Sequence, residues 1–172
     1  MTTLIDAKLT TVLRRAAVRA TRAPSVHNTQ PWHFAVGPDR IEMRTEPDRR
    51  LQVLDPHGRQ MLLSCGCALF NARVSLAEAG YAPVIERFPD PDEPGLFAVL
   101  RVDGADATTA GPDHDIAELA TAIDLRQTNR RHFDDYPVPT DVVDDAVRAA
   151  SIEGAEILVV TRPEDRIAVA ML

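Results

Sequence analysis

The chain has 172 residues, of which 45% are apolar and 26% charged, and its formal net charge is −7. These apolar residues are numerous enough for a folded core, which excludes disorder as the main state. No apolar run reaches the length of a membrane span, and the first residues lack the apolar stretch of a signal peptide. We therefore expect a cytoplasmic protein with no membrane partner.

The first half of the chain alternates between helical and extended patterns. Apolar residues recur with helical spacing from Ile5 to Ala20 and predict an amphipathic helix over about 6–22. Pro24 ends it, because the residue before a proline avoids the helical region. Two short strands follow, joined by a turn: His33–Val36 and Arg40–Thr45.

Residues 59–79 are apolar nearly all round, which predicts a fully buried central helix with Gly80 as its C-terminal cap. Its two cysteines, Cys65 and Cys67, are too few for a disulfide framework or a four-ligand zinc site, so no metal is expected.

The second half of the chain mixes strands and helices without regular βαβ spacing, so an α+β fold is expected. Thr140 is the expected N-cap of one helix, and Pro163 opens another at its tolerated first position. The predicted elements are two strands at 82–88 and 96–102, a linker at 103–115, a short helix at 116–124, an irregular segment at 125–133, a helix at about 140–150, a strand at Glu156–Val160 and a final helix from Pro163.

A polar loop lies between Pro24 and Pro31 and is a candidate binding element. Hydroxyl, amide and imidazole groups in this loop suit a planar ligand with several hydrogen-bonding edges. The alternative is an ordinary turn after a helix, with Trp32 as a core anchor. The polar side chains concerned are Ser25, His27, Asn28, Thr29 and Gln30.

An arginine cluster is the second candidate. Residues 126–133 hold three arginines and no acidic side chain, whereas residues 89–125 carry nine acidic side chains and one basic. Arg126, Thr128 and Arg130 alternate, so an extended backbone directs them to one side, where they suit a phosphate. The alternative is a solvated basic patch. The acidic flanks argue against a nucleic-acid partner, which needs a wider basic surface.

Two segments carry a family resemblance. RAPSVHNTQPWHF, at 22–34, resembles the Pro-Ser-x-x-Asn-x-Gln-Pro-Trp signature of the nitroreductase-like flavoprotein family. DPHGRQMLLSCGCALFNA, at 55–72, is similar to the Acg-type NAD(P)H nitroreductases of that family. The resemblance implies an FMN at an interface between two nitroreductase units, with NAD(P)H as electron donor.

The resemblance also implies a role for each candidate residue. Ser25, His27, Asn28 and Gln30 are expected to contact the flavin ring and ribityl chain. RQTNR, at 126–130, is similar to the family's Arg-x-Ser-x-Arg/Lys segment, so Arg126, Thr128 and Arg130 are expected to hold the phosphate. No protein side chain is assigned as catalytic, because the flavin carries the chemistry. Asn71 is interpreted as a core amide, with a cofactor contact as the alternative.

The expected architecture is a nitroreductase-like fold with tandem units, the second one truncated. Residues 1–103 are the first unit, 104–115 the linker and 116–172 the beginning of the second, in which AASIEGAEILVV replaces the Pro-Ser loop. One composite flavin site per chain follows. We expect this chain to bind FMN weakly or not at all, and to self-associate through apolar surface of the incomplete second unit.

The leading functional hypothesis is an FMN-dependent NAD(P)H oxidoreductase that reduces small nitroaromatic or quinone-like acceptors. The alternative is a flavin-binding or flavin-sequestering protein with little turnover. Oxidation of NADPH in the presence of a nitro acceptor discriminates between the two.

Overall fold

The computed structural model describes residues 2–102, 115–134 and 136–171, and it divides the chain into two units after Thr128. The predicted linker at 103–115 lies outside the described residues apart from Asp115. The interpretation as tandem nitroreductase units stays a prediction, because a division by compactness does not identify repeats.

The first unit contains a four-stranded antiparallel sheet in the order β1-β2-β4-β3. All four predicted strands are confirmed, with ends that differ by at most two residues from the predicted ones. β4 is buried along most of its length because it lies inside the sheet and beneath the helices. The strands are β1 Trp32–Val36, β2 Arg40–Thr45, β3 Val84–Arg87 and β4 Leu96–Arg101.

Two long helices, α1 Thr2–Ala20 and α2 Arg59–Glu78, pack against each other and against the sheet. Leu13 of α1 and Ala68 of α2 belong to one buried cluster with Ile41, Met43 and Leu100 of the strands, among others. Helices and an antiparallel sheet thus share one core, in agreement with the predicted α+β class.

The C-terminal end of α2 confirms the prediction made for Gly80. Gly80 adopts a left-handed backbone with φ of +82°, which costs glycine little. Its amide donates to the Ala77 carbonyl at 2.9 Å, and the Tyr81 amide donates to the Leu76 carbonyl at 2.9 Å. These two bonds form a Schellman motif, which satisfies carbonyls that the helix leaves open.

The prediction that α2 is fully buried is wrong for one of its faces. Leu63 is 71% exposed, and Leu62, Gly66 and Cys67 are exposed as well. An apolar pattern tells which surfaces gain free energy from burial, but it does not guarantee that an element covers them. Among the described residues, none covers this face completely.

α3, Ala120–Leu125, follows a short 3-10 helix at Asp115–Leu119 and confirms the short helix predicted at 116–124. It packs on the far half of α2, where Ala120 and Ile123 contact a small cluster around Val74. This packing places Arg126, which directly follows α3, next to Arg22 within the first unit.

The second unit contains α4, Thr140–Ile152, and α5, Pro163–Ala170. Pro163 stands at the start of α5 as predicted. None of the residues described between 129 and 171 is buried.

Two predictions for this second unit are wrong. The predicted strand at Glu156–Val160 has no regular structure, because a strand needs a hydrogen-bonded neighbour and no described segment pairs with it. Thr140 is not the N-cap of α4: Pro139 takes the extended backbone of that position, so the helix begins at Thr140. The Thr140 hydroxyl therefore does not cap the helix.

Candidate functional site

The polar loop between α1 and β1 has an unusual backbone. A short 3-10 helix spans Val26–Asn28, and His27, Asn28 and Gln30 all have positive φ values of 47° to 58°. Non-glycine residues rarely adopt this conformation and are held in it by their surroundings. Ser25 supplies part of that support: its carbonyl accepts the Asn28 amide at 2.9 Å, and its Oγ accepts the Gln30 amide at 3.0 Å.

Contacts from other elements fix this loop in place. The Val26 amide donates to the buried Ser64 hydroxyl of α2 at 3.2 Å. The carbonyl of Pro31 accepts the Cys65 thiol at 3.4 Å and the Glu46 amide at 3.0 Å. Trp32 then enters the core, where its ring stacks on Phe34. The loop therefore has a defined structure, held by hydrogen bonds from α2 and from the residue that follows β2.

The loop presents polar side chains to solvent. His27 and Asn28 are exposed, and Ser25 and Gln30 are partly buried. Within the described part of the chain, the side chains of His27 and Asn28 form no hydrogen bond, so their donors and acceptors are available to a ligand. These four residues are the ones that the resemblance implies contact the flavin ring and ribityl chain.

Arg126 and Thr128 lie beside the start of this loop. Arg126 follows α3 directly; its Nη1 donates to the Thr128 hydroxyl at 3.1 Å and its Nη2 to the Arg22 carbonyl at 3.3 Å. Arg22 precedes Pro24 by two residues. The predicted alternation therefore does place Arg126 and Thr128 on one side of the backbone. In the described ranges no acidic side chain pairs with Arg126, so its positive charge is open to an anion.

Arg130, the third residue predicted to hold a phosphate, belongs to the second unit and is exposed. His132 is also exposed. Asn71 of α2 donates to the Arg19 carbonyl at 3.5 Å, so its amide has a partner in the core.

Sequence reasoning missed an ion-pair network that joins α3 to the two long helices. Arg19 is buried and binds Glu78 of α2, the Ala120 carbonyl and Asp124 of α3. Asp124 also pairs with Arg22 at 3.1 Å. One signal was available: Arg19 stands three residues after Ala16, at a position on the apolar side of α1. Its acidic partner Asp124 is 105 residues away, which no local pattern reveals.

The two cysteines of α2 have different surroundings. Cys65 is buried, and this burial raises the pKa of its thiol to about 12. Cys67 is exposed, but the protein around its thiol displaces part of the water and so raises the pKa of the thiol. The nearby charge of Arg126 opposes that rise. Cys67 therefore lies close enough to Arg126 to sense its charge. In the described ranges no cluster of three or more histidine, cysteine or acidic side chains is placed to hold a metal ion.

Comparison with known proteins found relatives in Mycobacterium tuberculosis, whereas no family model matches the chain. It is 41% identical to "Putative NAD(P)H nitroreductase Rv3131" over 80% of this chain and 39% of that protein. It is 38% identical to "Putative NAD(P)H nitroreductase acg" over 83% of this chain and 42% of that protein. It is 32% identical to "Uncharacterized protein Rv3127" over 90% of this chain and 45% of that protein.

These similarities, each over most of this chain, support a nitroreductase-like family for it. The resemblance inferred from the loop and α2 segments is thereby confirmed. The chain covers 39% to 45% of the length of these relatives. None of the helices described is both long and apolar enough to cross a membrane.

The donor set of this nitroreductase-like chain fits a phosphate-bearing flavin. A guanidinium without an acidic partner and an adjacent hydroxyl suit phosphate oxygens. The exposed amide and imidazole groups of Asn28 and His27 suit the hydrogen-bonding edges of a planar ring. Both sets are attached to elements anchored on α2, within the first unit.

Proposed function

We propose that this chain provides an FMN site of an NAD(P)H-dependent oxidoreductase of the nitroreductase type. The observation that carries the proposal is the position of Arg126: its guanidinium, free of acidic partners in the described part of the chain, contacts the Arg22 carbonyl next to the polar loop. The names of the relatives support an oxidoreductase that uses NAD(P)H. The acceptors proposed are small nitroaromatic or quinone-like molecules.

In this proposal the two groups of residues bind different parts of the cofactor. Arg126, Thr128 and Arg130 bind the phosphate through charge-assisted hydrogen bonds. Ser25, His27, Asn28 and Gln30 contact the ring and the ribityl chain. The FMN supplies hydride chemistry when bound, and the protein supplies binding and orientation.

The same site also fits a flavin-binding or flavin-sequestering protein with little turnover. The feature that favours this second function is the presence of one Pro-Ser loop in the chain, with AASIEGAEILVV at the corresponding place of the second unit. Binding and turnover must therefore be measured separately.

The partners proposed are a small-molecule acceptor and a second copy of the chain, with no nucleic acid. Exposed apolar side chains of the second unit, Phe133, Tyr136 and Leu158 among them, support self-association. Sizing at several protein concentrations tests this, and a monomer at all of them contradicts it.

The test of the FMN site is a titration of the purified chain with FMN, followed by flavin fluorescence and absorbance. Substitution of both Arg126 and Arg130 by alanine is expected to weaken binding by more than about tenfold, since the loss of one charged hydrogen-bond donor at Arg126 costs about tenfold and the loss of Arg130 adds a smaller effect. The matched control is Arg148→Ala on α4, which removes an arginine already paired with Asp145. The sequence predicts weak binding or none: weak binding by the wild type that is further weakened in the double variant supports the proposal, whereas equal affinity of the two, or no binding by the wild type, contradicts it.

Turnover is measured on the FMN-loaded chain with NADH and with NADPH, each with a nitroaromatic acceptor. Oxidation of either donor supports the oxidoreductase. Stoichiometric FMN without turnover supports the binding function instead.

A further inference from the structure

We propose that Asp124 is a positioning residue that holds Arg126 beside the polar loop. The identity of the anion that Arg126 binds rests on the proposed function, whereas the positioning itself does not. Two sets of contacts and one observation about charge carry the inference.

The first set fixes Asp124 from both sides. Its Oδ2 lies 3.2 Å from Arg19 Nη2, and its Oδ1 lies 3.1 Å from Arg22 Nη1. The Arg19 side chain is only 8% exposed and also binds Glu78 and the Ala120 carbonyl. A buried guanidinium with several partners has little freedom, so it is a firmer anchor than an exposed arginine.

The second set transmits that anchoring to Arg126. Arg126 is two residues beyond Asp124 and directly follows the last residue of α3. Its Nη2 donates to the carbonyl of Arg22, the same residue whose guanidinium binds Asp124. Asp124 and Arg126 thus both contact Arg22, and we expect loss of the Asp124 contacts to free the end of α3 to move.

The third observation concerns charge. Asp124 neutralises Arg22 but does not pair with Arg126, in the part of the chain that the structure describes. A carboxylate near an anion site repels the anion, so its electrostatic field alone weakens binding. Removal of the Asp124 charge is therefore expected to strengthen anion binding if only its electrostatic field matters, and to weaken binding if Asp124 positions Arg126. The opposite signs make the inference testable.

The first measurement is FMN affinity of Asp124→Asn, which keeps the side-chain shape and removes the charge. The positioning role predicts binding weaker by about tenfold, the value of one displaced charged donor. Unchanged or tighter binding overturns it. Glu93→Gln is the matched control: it removes one negative charge that pairs with Arg44 on β2 and is expected to leave the affinity unchanged.

The second measurement does not depend on FMN. Burial raises the pKa of the Cys67 thiol and the charge of Arg126 opposes that rise, so displacement of Arg126 is expected to raise this pKa further. Alkylation of Cys67 is followed against pH by mass spectrometry, with the buried Cys65 as an internal unreactive thiol. The Arg126→Ala variant removes the charge of Arg126 altogether, so its rise in the pKa of Cys67 is the largest that displacement of Arg126 can cause.

In Asp124→Asn, positioning predicts that the pKa of Cys67 rises toward the value in Arg126→Ala. The electrostatic field of Asp124 alone predicts that the pKa of Cys67 falls, because the variant removes a negative charge. An unchanged or lower pKa overturns the inference even where FMN binds. If wild-type protein does not bind FMN, the proposed function fails while the Cys67 pKa still tests the positioning.

A conservative variant separates positioning from general destabilisation. Asp124→Glu keeps the charge and can still reach both arginines, so its Cys67 pKa is expected closer to wild type than that of Asp124→Asn. Equal values in the two variants overturn the inference. The fluorescence of Trp32, the single tryptophan of the chain, verifies that each variant is folded.

Discussion

The two units of the chain differ in where their apolar side chains lie. In the first unit Leu13, Ile41 and Leu100 are completely buried between two helices and a sheet. In the second unit no described residue is buried, and Leu158 is 83% exposed. The difference shows that a core needs two layers of secondary structure that face each other, and a supply of apolar residues is not sufficient.

This comparison matters for the candidate site. The polar loop, Arg126 and Thr128 are attached to the unit that has a core, through Ser64 and the Arg19–Asp124 network. A binding site that rests on well-packed elements keeps its geometry better than one on exposed segments. Arg130 belongs to the unit without buried residues, so we expect it to contribute less to binding than Arg126.

The largest expected effect comes from removing a core side chain in the first unit. Leu13→Ala leaves a cavity in a fully buried position and is expected to lower the free energy of unfolding by about 2–5 kcal/mol. Urea unfolding followed by the fluorescence of Trp32, which lies in the same cluster, measures this loss. The matched substitution in the second unit, Leu158→Ala, is expected to change the transition by less than about 0.5 kcal/mol. Similar losses in both variants would show that Leu158 is buried in solution, and the comparison would fail.

A smaller effect is expected at the start of α2. The Asp55 carboxylate accepts the Met61 amide at 2.8 Å. Burial raises the pKa of Asp55, but backbone amides of Met61, Gln60 and Arg59 and the charge of Arg50 outweigh it, so this pKa lies below its ordinary value of 3.8. Asp55→Ala is therefore expected to lower the urea midpoint of the Trp32 transition.

The pH dependence of this effect has a definite sign. A carboxylate whose pKa is lowered by folding contributes its full stability above the unfolded pKa, and it loses that contribution as pH falls through the folded pKa. The midpoint difference between wild type and Asp55→Ala should thus be constant at neutral pH and shrink below the ordinary value of 3.8. The control is Asp141→Ala in the exposed first turn of α4, which is expected to leave the Trp32 transition unchanged. A difference that grows on acidification contradicts a stabilising role of the ionised Asp55 carboxylate at the start of α2.

The outcome of the sequence predictions depends on whether a feature is determined by nearby residues or by a distant partner. The helices, the strands and the turn at Gly80 were predictable because periodicity, proline and glycine act locally. The strand at Glu156–Val160 and the full burial of α2 were wrong, because both depend on a partner surface that a local pattern does not supply. The side chains of the loop were recognisable by their chemistry. The Arg19–Asp124 pair was not, because its members are far apart in the chain.

Substitution of one glycine in each unit tests the difference in packing between the two units. Gly66 lies within α2 on its exposed face, and no atom lies within 4 Å of an added Cβ. Gly66→Ala is expected to raise the free energy of unfolding by about 0.5–1 kcal/mol, because alanine loses less backbone entropy in a helix. Gly154, which follows α4, has a φ of +73°, so Gly154→Ala strains the second unit and leaves the Trp32 transition unchanged. A loss of stability in Gly66→Ala that grows with protein concentration would show that another copy covers this face of α2.

The smallest expected effect concerns an ion pair on α4. Arg148 Nη1 lies 2.8 Å from Asp145 Oδ1, and both side chains are exposed. Such a pair stabilises a helix by about 0.2–0.5 kcal/mol and is screened by salt. In a unit without buried residues, a 13-residue helix is close to the limit of stability, so even this small loss should increase hydrogen exchange over residues 140–152. In the first unit, Arg15→Ala breaks a comparable exposed pair with Glu78, but there the core holds the helices and no change in exchange is expected. If Arg148→Ala exchanges at the wild-type rate in low salt, then α4 is stabilised by packing and not by its own side chains, and the contrast between the two units would have to be withdrawn.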